Sequence, residues 1–252
     1  MKPEIFVSAF DLHFPDIHWP TFKSMSSFLS QNRVDGFVFG GDQFNNECIS
    51  HHTKGKPGLR LPGQFALDEE MFEEMILSPL ERLLPKKCEK VWICGNHDHW
   101  ESEFEEEIPE LRDKLQRPRN LKLAARGWQV IPLGGIYKHG KLSWIHGEGI
   151  GTANHSKRAV DVYCTNLVYG HHHTMQSHTK ILSSDYSQRW VAQCSPIVGG
   201  CNPRYLESRP NNWLNGFTIT EFYSRGMFNH YPVVTDGDGA FSYGGTTYKA
   251  TR

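Results

Sequence analysis

The sequence predicts an α/β (α+β) fold in which a two-sheet β-sandwich is flanked by helices on its outer faces. Apolar strand-like segments alternate with amphipathic helical segments through the first half of the 252-residue chain, and strand patterns dominate from Gly127 onward. Several strand-like segments end in a turn followed by polar side chains, which is where such folds place their binding sites. We expect a single domain over residues 1–252, with a loosely packed tail from about residue 235.

Three segments carry the apolar spacing of helices. Between residues 19 and 30, apolar side chains recur at helical intervals, and Pro20 suits a first helical turn. The same spacing predicts helices over residues 65–84 and 100–116. The last of these segments is strongly acidic, and we expect its carboxylates to face water while its apolar residues face inward.

Short apolar runs predict the strands. Most of these runs are bounded by glycine, by turn residues or by charged residues. The last run alternates apolar and polar side chains with period two, as a half-buried antiparallel strand does. The predicted strands cover residues 5–10, 36–39, 91–94, 129–131, 136–137, 142–145, 166–169, 190–192 and 217–222.

The bulk composition excludes several classes of protein. The 27 basic and 28 acidic residues nearly balance, so no global field favours nucleic acid or a membrane surface. No run approaches the roughly 20 apolar residues of a membrane helix, and the beginning of the chain lacks the pattern of a signal peptide. The six cysteines form no C-x-x-C pair, which favours reduced structural thiols. We therefore expect a soluble, cytoplasmic protein without a membrane partner.

Five polar segments follow strand-like runs in a consistent order along the chain. Each segment alone is a weak signal, because an Asx turn, a helix cap or an ordinary histidine at a strand end explains it equally well. Repeated placement of metal-competent side chains at the same end of successive strands instead indicates a dinuclear metal centre. The segments contain Asp11 and His13, Gly41-Asp42 with Asn45, Gly95-Asn96-His97-Asp98, His146-Gly147, and Gly170-His171-His172-His173.

In these five segments the chain resembles the calcineurin-like metallophosphoesterases. The motifs of that family are D-x-H, G-D-x-x-[D/N], G-N-H-[D/E], an isolated histidine before a small residue, and G-H-x-H. All five occur here in order between residues 11 and 173, without a substitution at a key position. Looser similarities, around residues 109–111 and 212–217, are to members encoded by bacteriophages, whose location would be the host cytoplasm.

The resemblance implies two packed sheets with the metals at the carboxyl ends of the strands, and it assigns the ligands. Asp11, His13 and His173 would bind one metal ion. Asn96, His146 and His171 would bind the other, and Asp42 would bridge both.

The chemistry of the donors agrees with this division. Aspartate, asparagine and histidine without thiolate suit two divalent ions, Mn²⁺ first, with Fe²⁺, Zn²⁺, Mg²⁺ and Ni²⁺ as alternatives. Alternation along an extended segment turns His172 away from His171 and His173, so we leave His172 out of the ligand set.

The expected reaction is hydrolysis of a phosphoester. Two such ions about 3.5–4 Å apart share a hydroxide and direct it at phosphorus. The leaving alkoxide then needs a proton, and His97 is the candidate general acid. We expect Asp98 to hold the His97 ring and to raise its pKa. Asn45 is expected to form hydrogen bonds within its loop rather than to bind metal.

The substrate class depends on loops. The distinctive loop follows Asp42, and its basic residues are candidates for holding a second phosphate or a nucleic-acid backbone, although a solvated flexible loop is an equal alternative. Its candidate substrate-binding residues are His51, His52, Lys54, Lys56 and Arg60, together with Asn45. Arg204 and Arg209 near Trp213 form a second candidate surface, for an anion and a stacked base.

These observations favour phosphodiesters, either nucleotides or nucleic acid, as substrates. A phosphomonoesterase acting on a small metabolite or a phosphoprotein is the enzymatic alternative. A metal-binding scaffold that has lost activity is the alternative of another class, and the intact His97-Asp98 pair argues against it.

Overall fold

Two β-sheets packed face to face form the centre of the structure, a computed structural model that describes residues 2–61, 63–151, 153–203, 206 and 209–250. In chain order, the strands are β1 (Glu4–Ala9), β2 (Gly36–Phe39), β3 (Glu89–Ile93), β4 (Trp128–Ile131), β5 (Tyr137–His139), β6 (Leu142–Trp144), β7 (Asn166–Tyr169), β8 (Ser177–Leu182), β9 (Asp185–Cys194), β10 (Gly216–Phe222), β11 (Phe228–Val234), β12 (Phe241–Tyr243) and β13 (Thr246–Tyr248). The helices are α1 (Trp19–Gln31), α2 (Gln64–Phe72), α3 (Ser78–Leu83), α4 (Asn96–Glu107), α5 (Arg117–Asn120) and α6 (His155–Tyr163).

The sheets differ in size but share one feature, a run of parallel strands. The six-stranded sheet has the order β11-β10-β1-β2-β3-β4, in which β1 to β4 are parallel and β10 and β11 are antiparallel additions. The five-stranded sheet has the order β5-β6-β7-β9-β8, in which β6, β7 and β9 are parallel. Parallel neighbours bring the carboxyl ends of several strands to one edge, which is the edge that the predicted metal ligands need.

Successive side chains of a strand point to opposite faces of the sheet, so each central strand contributes to two cores. In β1, Phe6 lies in the core between the two sheets, and its neighbour Val7 lies in the core beneath the helices. The indole of Trp144 crosses between the sheets, and its Nε1 donates a hydrogen bond of 2.8 Å to Ser8 Oγ. This buried bond fixes the two sheets relative to each other.

Helices cover the outer faces of both sheets, as predicted. Met25 and Phe28 of α1 pack in the core of the six-stranded sheet, and Ala159 of α6 packs on the other sheet. The segment predicted as one helix over residues 65–84 runs from α2 into α3 through a π-helical turn, Glu73–Leu77. Pro79 follows this turn, and a proline lacks the N–H that a regular α-helix requires.

The third predicted helix differs from the structure in its bounds and its burial. Helix α4 begins four residues earlier than expected, at Asn96, and ends before Ile108, because Pro109 disfavours a helical conformation in the residue preceding it. The expectation that its carboxylates all face water was wrong, since Glu101 and Glu105 are buried and accept hydrogen bonds.

The tail also packs more closely than predicted. Strands β12 and β13 form a hairpin, and its Phe241 and Tyr248 lie in the core against Phe28 of α1. Two aromatic side chains on one face of a short hairpin bury enough apolar surface to hold it in place. Within the described part of the chain, no helix is long and apolar enough to cross a membrane.

We expect Phe241→Ala to lower the free energy of unfolding by about 3 kcal/mol, because it removes a buried aromatic ring and leaves a cavity. Phe241 is 5% exposed, whereas Tyr186 is 76% exposed, so Tyr186→Ala is the matched control and should change stability by less than about 0.5 kcal/mol. Denaturant unfolding measures both variants. Equal stability of the two variants would show that the tail is loosely packed.

Candidate metal centre

The predicted ligands lie together at the carboxyl edge of the parallel strands. Residues following β1, β2 and β3 come from the six-stranded sheet, and residues following β6 and β7 come from the five-stranded sheet. Among the described residues, three groups of side chains could hold a metal ion, and the ligand atoms within each group lie within 4.8 Å of one another. These groups are Asp11, His13 and His173; Asp42, His146 and His171; and His13, Asp42 and His97.

The backbone at this edge is held in an uncommon conformation. Five of the predicted ligands have positive φ angles, in the left-handed region that side chains with a Cβ rarely adopt. The angles are 51° at Asp11, 49° at His13, 51° at Asp42, 66° at His171 and 58° at His173. Residues in such conformations cluster at functional sites, where the surrounding structure holds them against their cost. The left-handed backbone aims the ligands of both sheets at one place.

The glycines of the motifs are needed for space. A Cβ on Gly95 would lie 2.1 Å from Asp42 Oδ1, and a Cβ on Gly170 would lie 2.4 Å from Asp11 Oδ2. A Cβ on Gly41 would lie 2.1 Å from His146 Nδ1. Each glycine therefore makes room for a predicted ligand that comes from a different motif.

The first group contains Asp11, His13 and His173. The Nε2 atoms of His13 and His173 are 3.0 Å apart, and His173 Nε2 is 3.5 Å from Asp11 Oδ1. The backbone N–H of His171 donates to both carboxylate oxygens of Asp11, at 3.1 and 3.0 Å, which fixes the carboxylate. Two imidazole nitrogens and a carboxylate facing one point form a typical site for a divalent metal ion.

The second group contains Asp42, His146 and His171, and Asn96 belongs with it. His146 Nδ1 is 3.1 Å from the carbonyl oxygen of Gly40, so a proton on Nδ1 is donated there and Nε2 faces the site. His146 Nε2 lies 3.2 Å from Asp42 Oδ2 and 3.1 Å from Asn96 Oδ1. Two oxygens and a ring nitrogen thus converge, and only a positive charge between them satisfies all three.

The protonation of these side chains supports this fit. Burial opposes a charge on His146, but Asp42 raises its pKa to about 10, so a proton occupies the place where an ion would bind. Burial and the neighbouring histidines lower the pKa of His13 to about 3 and that of His171 to about 4, so these two rings are neutral and ready to coordinate. Burial also raises the pKa of Asp42, yet the charges of His146 and His97 outweigh it and keep Asp42 ionised.

His97 lies beside both groups, with its Nε2 3.8 Å from Asp42 Oδ2. Its Nδ1 donates a hydrogen bond of 2.8 Å to the carbonyl oxygen of Asn45. The ring also stacks on Trp100, with the ring centroids 3.9 Å apart. Trp100 is three residues later on the same face of α4, and this spacing was the available signal that the sequence analysis missed.

The role predicted for Asp98 was wrong. Its Oδ2 accepts the N–H of Gly95 at 2.6 Å and so caps the first turn of α4, and burial raises its pKa to about 7. The pKa of His97 is lowered rather than raised, because burial outweighs the opposing effects of Asp42 and the Asn45 carbonyl. Asn45 and Trp100 hold the ring in the place of Asp98.

A buried ion pair supports the loop that carries His97. The guanidinium of Arg117 is completely buried over the ring of Phe44, and its Nε donates to Glu101 Oε1 at 3.1 Å. Arg117 Nη2 donates to Asn46 Oδ1 at 2.7 Å, and Asn46 Nδ2 donates to the carbonyl oxygen of His97 at 2.8 Å. The pair therefore ties α4, α5 and the loop after Asp42 to the backbone of His97. The sequence analysis missed this network.

The candidate substrate residues separate into two sets. Asn45, His52 and Lys56 line a cavity of about 710 Å³ that Asn96, His97 and Trp100 also line. The other three, His51, Lys54 and Arg60, do not line this cavity and are engaged by neighbouring groups. His51 Nδ1 is 3.7 Å from Glu103, Lys54 Nζ is 3.2 Å from Glu107, and Arg60 Nη2 donates to the Ser50 carbonyl at 2.6 Å.

Trp213 and His172, which the sequence analysis also considered, each contact a histidine ring. Trp213 packs edge to face on His173, with the ring centroids 4.3 Å apart, while Arg204 lies outside the described residues. His172 stacks on His155 at 4.2 Å between ring centroids and belongs to none of the three ligand groups.

We expect Gly170→Ala to weaken metal binding about tenfold or more, because the added methyl group displaces the Asp11 carboxylate. A matched control is Gly237→Ala, since nothing lies within 4 Å of a Cβ built on Gly237. Calorimetric titration with Mn²⁺ measures both variants. Unchanged affinity in Gly170→Ala would remove Asp11 from the metal site.

Comparison with known proteins gives a family match that includes the whole candidate site. A family model described as calcineurin-like phosphoesterase matches residues 11–193, which include every predicted metal ligand. The search of curated proteins gives no match.

Several solved structures are similar to this chain. Wild-type Vps29 complexed with Zn²⁺ from Entamoeba histolytica is 11% identical, with a TM-score of 0.47, over 98% of this chain and 99% of that chain. A dimetal phosphatase from Danio rerio is 10% identical, with a TM-score of 0.44, over 89% and 94% of the two chains. A metallophosphoesterase from Sphaerobacter thermophilus is 15% identical, with a TM-score of 0.41, over 90% and 88%. The family model, which covers most of the chain and all five motifs, decides the assignment: the chain belongs to the calcineurin-like phosphoesterase family.

Proposed function

We propose that this chain is a phosphoester hydrolase that uses two divalent metal ions and acts preferentially on phosphodiesters. The observation that carries the proposal is the position of the Asp42 carboxylate, which lies close both to His146 and His171 and to His13 and His97. His13 in turn belongs to the group of Asp11 and His173. A carboxylate placed between two sets of nitrogen and oxygen donors is able to bridge two ions. One ion would be held by Asp11, His13 and His173, the other by Asn96, His146 and His171, and both by Asp42.

The donor set supports Mn²⁺ as the first candidate, with Fe²⁺, Zn²⁺, Mg²⁺ and Ni²⁺ as alternatives. The proposed ligands are imidazole nitrogens and carboxylate or amide oxygens, without a thiolate. When bound, the ions supply an activated water and neutralise the charge that builds on the phosphoryl oxygens.

The side chains around the ions perform the remaining steps. The hydrogen bond from His97 Nδ1 to Asn45 leaves Nε2 facing the site, where a protonated ring donates to the leaving oxygen. Burial lowers the pKa of His97 in the free protein, and an anionic phosphodiester beside the ring would favour its protonated form. Trp100 limits the rotation of the ring, so the proton is delivered in one direction.

The walls of the adjoining cavity favour a diester over a monoester. A phosphate monoester carries up to two negative charges near neutral pH, whereas a diester carries one. The described residues that line the cavity include Lys56, His52 and the acidic Glu47 but no arginine, and Asn45 and the proposed metal ligand Asn96 are neutral. Such a wall suits the smaller charge. Nucleotides or nucleic acid are the proposed diesters, and a cytoplasmic location and a bacteriophage origin stay predictions.

Hydrolysis of bis-p-nitrophenyl phosphate and of p-nitrophenyl phosphate, measured in parallel with the Mn²⁺-loaded protein, tests the substrate class. We expect a higher kcat/KM for the diester. Turnover of the monoester alone would make the chain a phosphomonoesterase. If neither ester were hydrolysed and His97→Ala changed nothing, the chain would be an inactive metal-binding scaffold.

Substitutions of Asn96 and His97 should separate metal binding from proton transfer. We expect Asn96→Ala to weaken the binding of one of the two ions by about tenfold, because an oxygen ligand is lost. We expect His97→Ala to retain both ions and to lower kcat about 10²- to 10⁴-fold, because the general acid is lost.

Metal titration and steady-state kinetics give the two readouts of this comparison. His99→Ala is the matched control, because His99 is an exposed histidine in the first turns of the same helix. The reverse pattern, with lost metal in His97→Ala and slow turnover at full metal content in Asn96→Ala, would exchange the two roles.

A further inference from the structure

The cavity of about 710 Å³ adjoins the proposed metal centre next to His97. Of the residues that form the proposed metal centre and its acid, Asn96 and His97 line the cavity. Most of its other lining residues come from the segment of residues 47–59, which includes the 3₁₀-helices His51–Thr53 and Pro57–Leu59. The cavity therefore adjoins the proposed acid and the proposed ligand Asn96.

The position of the cavity beside His97 determines which part of the substrate it holds, if the chain has the proposed function. In hydrolysis, the oxygen of water bonds to phosphorus, and the bond between phosphorus and the leaving oxygen breaks with its electron pair on that oxygen. His97 Nε2–H protonates the leaving oxygen, and the proton that water loses passes to solvent. The attacking and leaving oxygens lie on opposite sides of phosphorus. The group attached to the leaving oxygen must therefore occupy the cavity beside His97.

The walls of the cavity are mixed in character. Trp100 and Leu59 supply apolar surface, and Trp100 is fixed by its stacking on His97. Glu47 supplies a carboxylate, which is an acceptor for hydroxyl or N–H groups. A nucleoside has the matching parts, an aromatic base together with a sugar that carries hydroxyl groups.

The cations of this segment differ in whether they are already engaged. Lys54 is paired with Glu107 of α4, and Arg60 is bound to the Ser50 carbonyl and to Thr53 Oγ1. Lys56 lines the cavity, and among the described residues it has no ion pair within 4 Å. The hydrogen bonds of Arg60 hold the segment in place, whereas the exposed pair of Lys54 and Glu107 contributes little. Lys56 is left to meet an anion inside the cavity.

We propose that this cavity binds the leaving nucleoside of a phosphodiester and that Lys56 binds the next phosphate along the leaving strand. The base packs against Trp100 and Leu59. The substrate class is therefore an oligonucleotide, in which the leaving group carries a further phosphate, rather than an isolated diester.

The thymidine dinucleotide and trinucleotide are suitable probes. The dinucleotide has one diester and no further phosphate. In the trinucleotide, one of the two bonds has a leaving group with a further phosphate, whichever ester oxygen departs. The quantity to measure is the ratio of kcat/KM for the trinucleotide to kcat/KM for the dinucleotide, because effects on the metals cancel in this ratio.

We expect a ratio well above one in the unaltered protein and a fall of about tenfold in Lys56→Met. The dependence of kcat/KM on salt for the trinucleotide should also become shallower, because one contact between a cation and a phosphate is lost. Lys54→Met is the matched control, since it removes the same charge two residues earlier in the same segment but outside the cavity, and it should keep the original ratio.

A ratio near one in the unaltered protein, or an equal change in the two lysine variants, would overturn the proposed phosphate site. Bis-p-nitrophenyl phosphate separates the two proposals. If this diester is hydrolysed while the ratio shows no dependence on Lys56, the hydrolase stands and the oligonucleotide site falls. If no diester is hydrolysed, both proposals fall.

Discussion

The buried carboxylate of Asp42 is the constraint on which the rest of the site depends. It lies where the two sheets meet, and a charge at that depth is tolerated only if opposite charge and hydrogen bonds surround it. The backbone N–H of His97 donates to its Oδ1 at 2.9 Å, and Oδ2 faces His146 at 3.2 Å. Gly95 leaves the carboxylate room, and the left-handed backbone at Asp42 aims it between the strands. Because this side chain is held so firmly, its carboxylate stays close both to His146 and His171 and to His13 and His97.

The loop after β3 shows how closely binding and catalysis are coupled in the proposed hydrolase. Its four residues have separate tasks: Gly95 clears space for Asp42, Asn96 would offer an oxygen to the second ion, His97 faces the site as the proposed acid, and Asp98 caps the helix that begins there. Any shift of this turn would therefore disturb the metal ligand and the acid together. The buried pair of Arg117 and Glu101 opposes such a shift, because it is linked to the His97 carbonyl through Asn46.

The sequence was sufficient for the fold class and for the candidate ligands of the five motifs, which lie together in the structure. Both depend on local patterns, since strand periodicity and polar residues at strand ends are properties of neighbouring positions. Contacts between distant segments could not be predicted in the same way. Glu101 and Asn46 meet Arg117 across 16 and 71 positions, and nothing near Arg117 in the sequence indicates burial. Asp98 was misjudged because the helix begins at Asn96 rather than near Trp100, which turns the carboxylate toward the backbone.

The most direct test of a centre shared through Asp42 is electron paramagnetic resonance of the protein loaded with Mn²⁺. At two equivalents of metal, we expect the spectrum of an exchange-coupled pair of ions, because the Asp42 carboxylate would bridge them in the proposed centre. Asp42→Asn should lose this coupling and show isolated ions, since an amide is a poor bridge. A spectrum of isolated Mn²⁺ at every loading of the unaltered protein would contradict a shared centre.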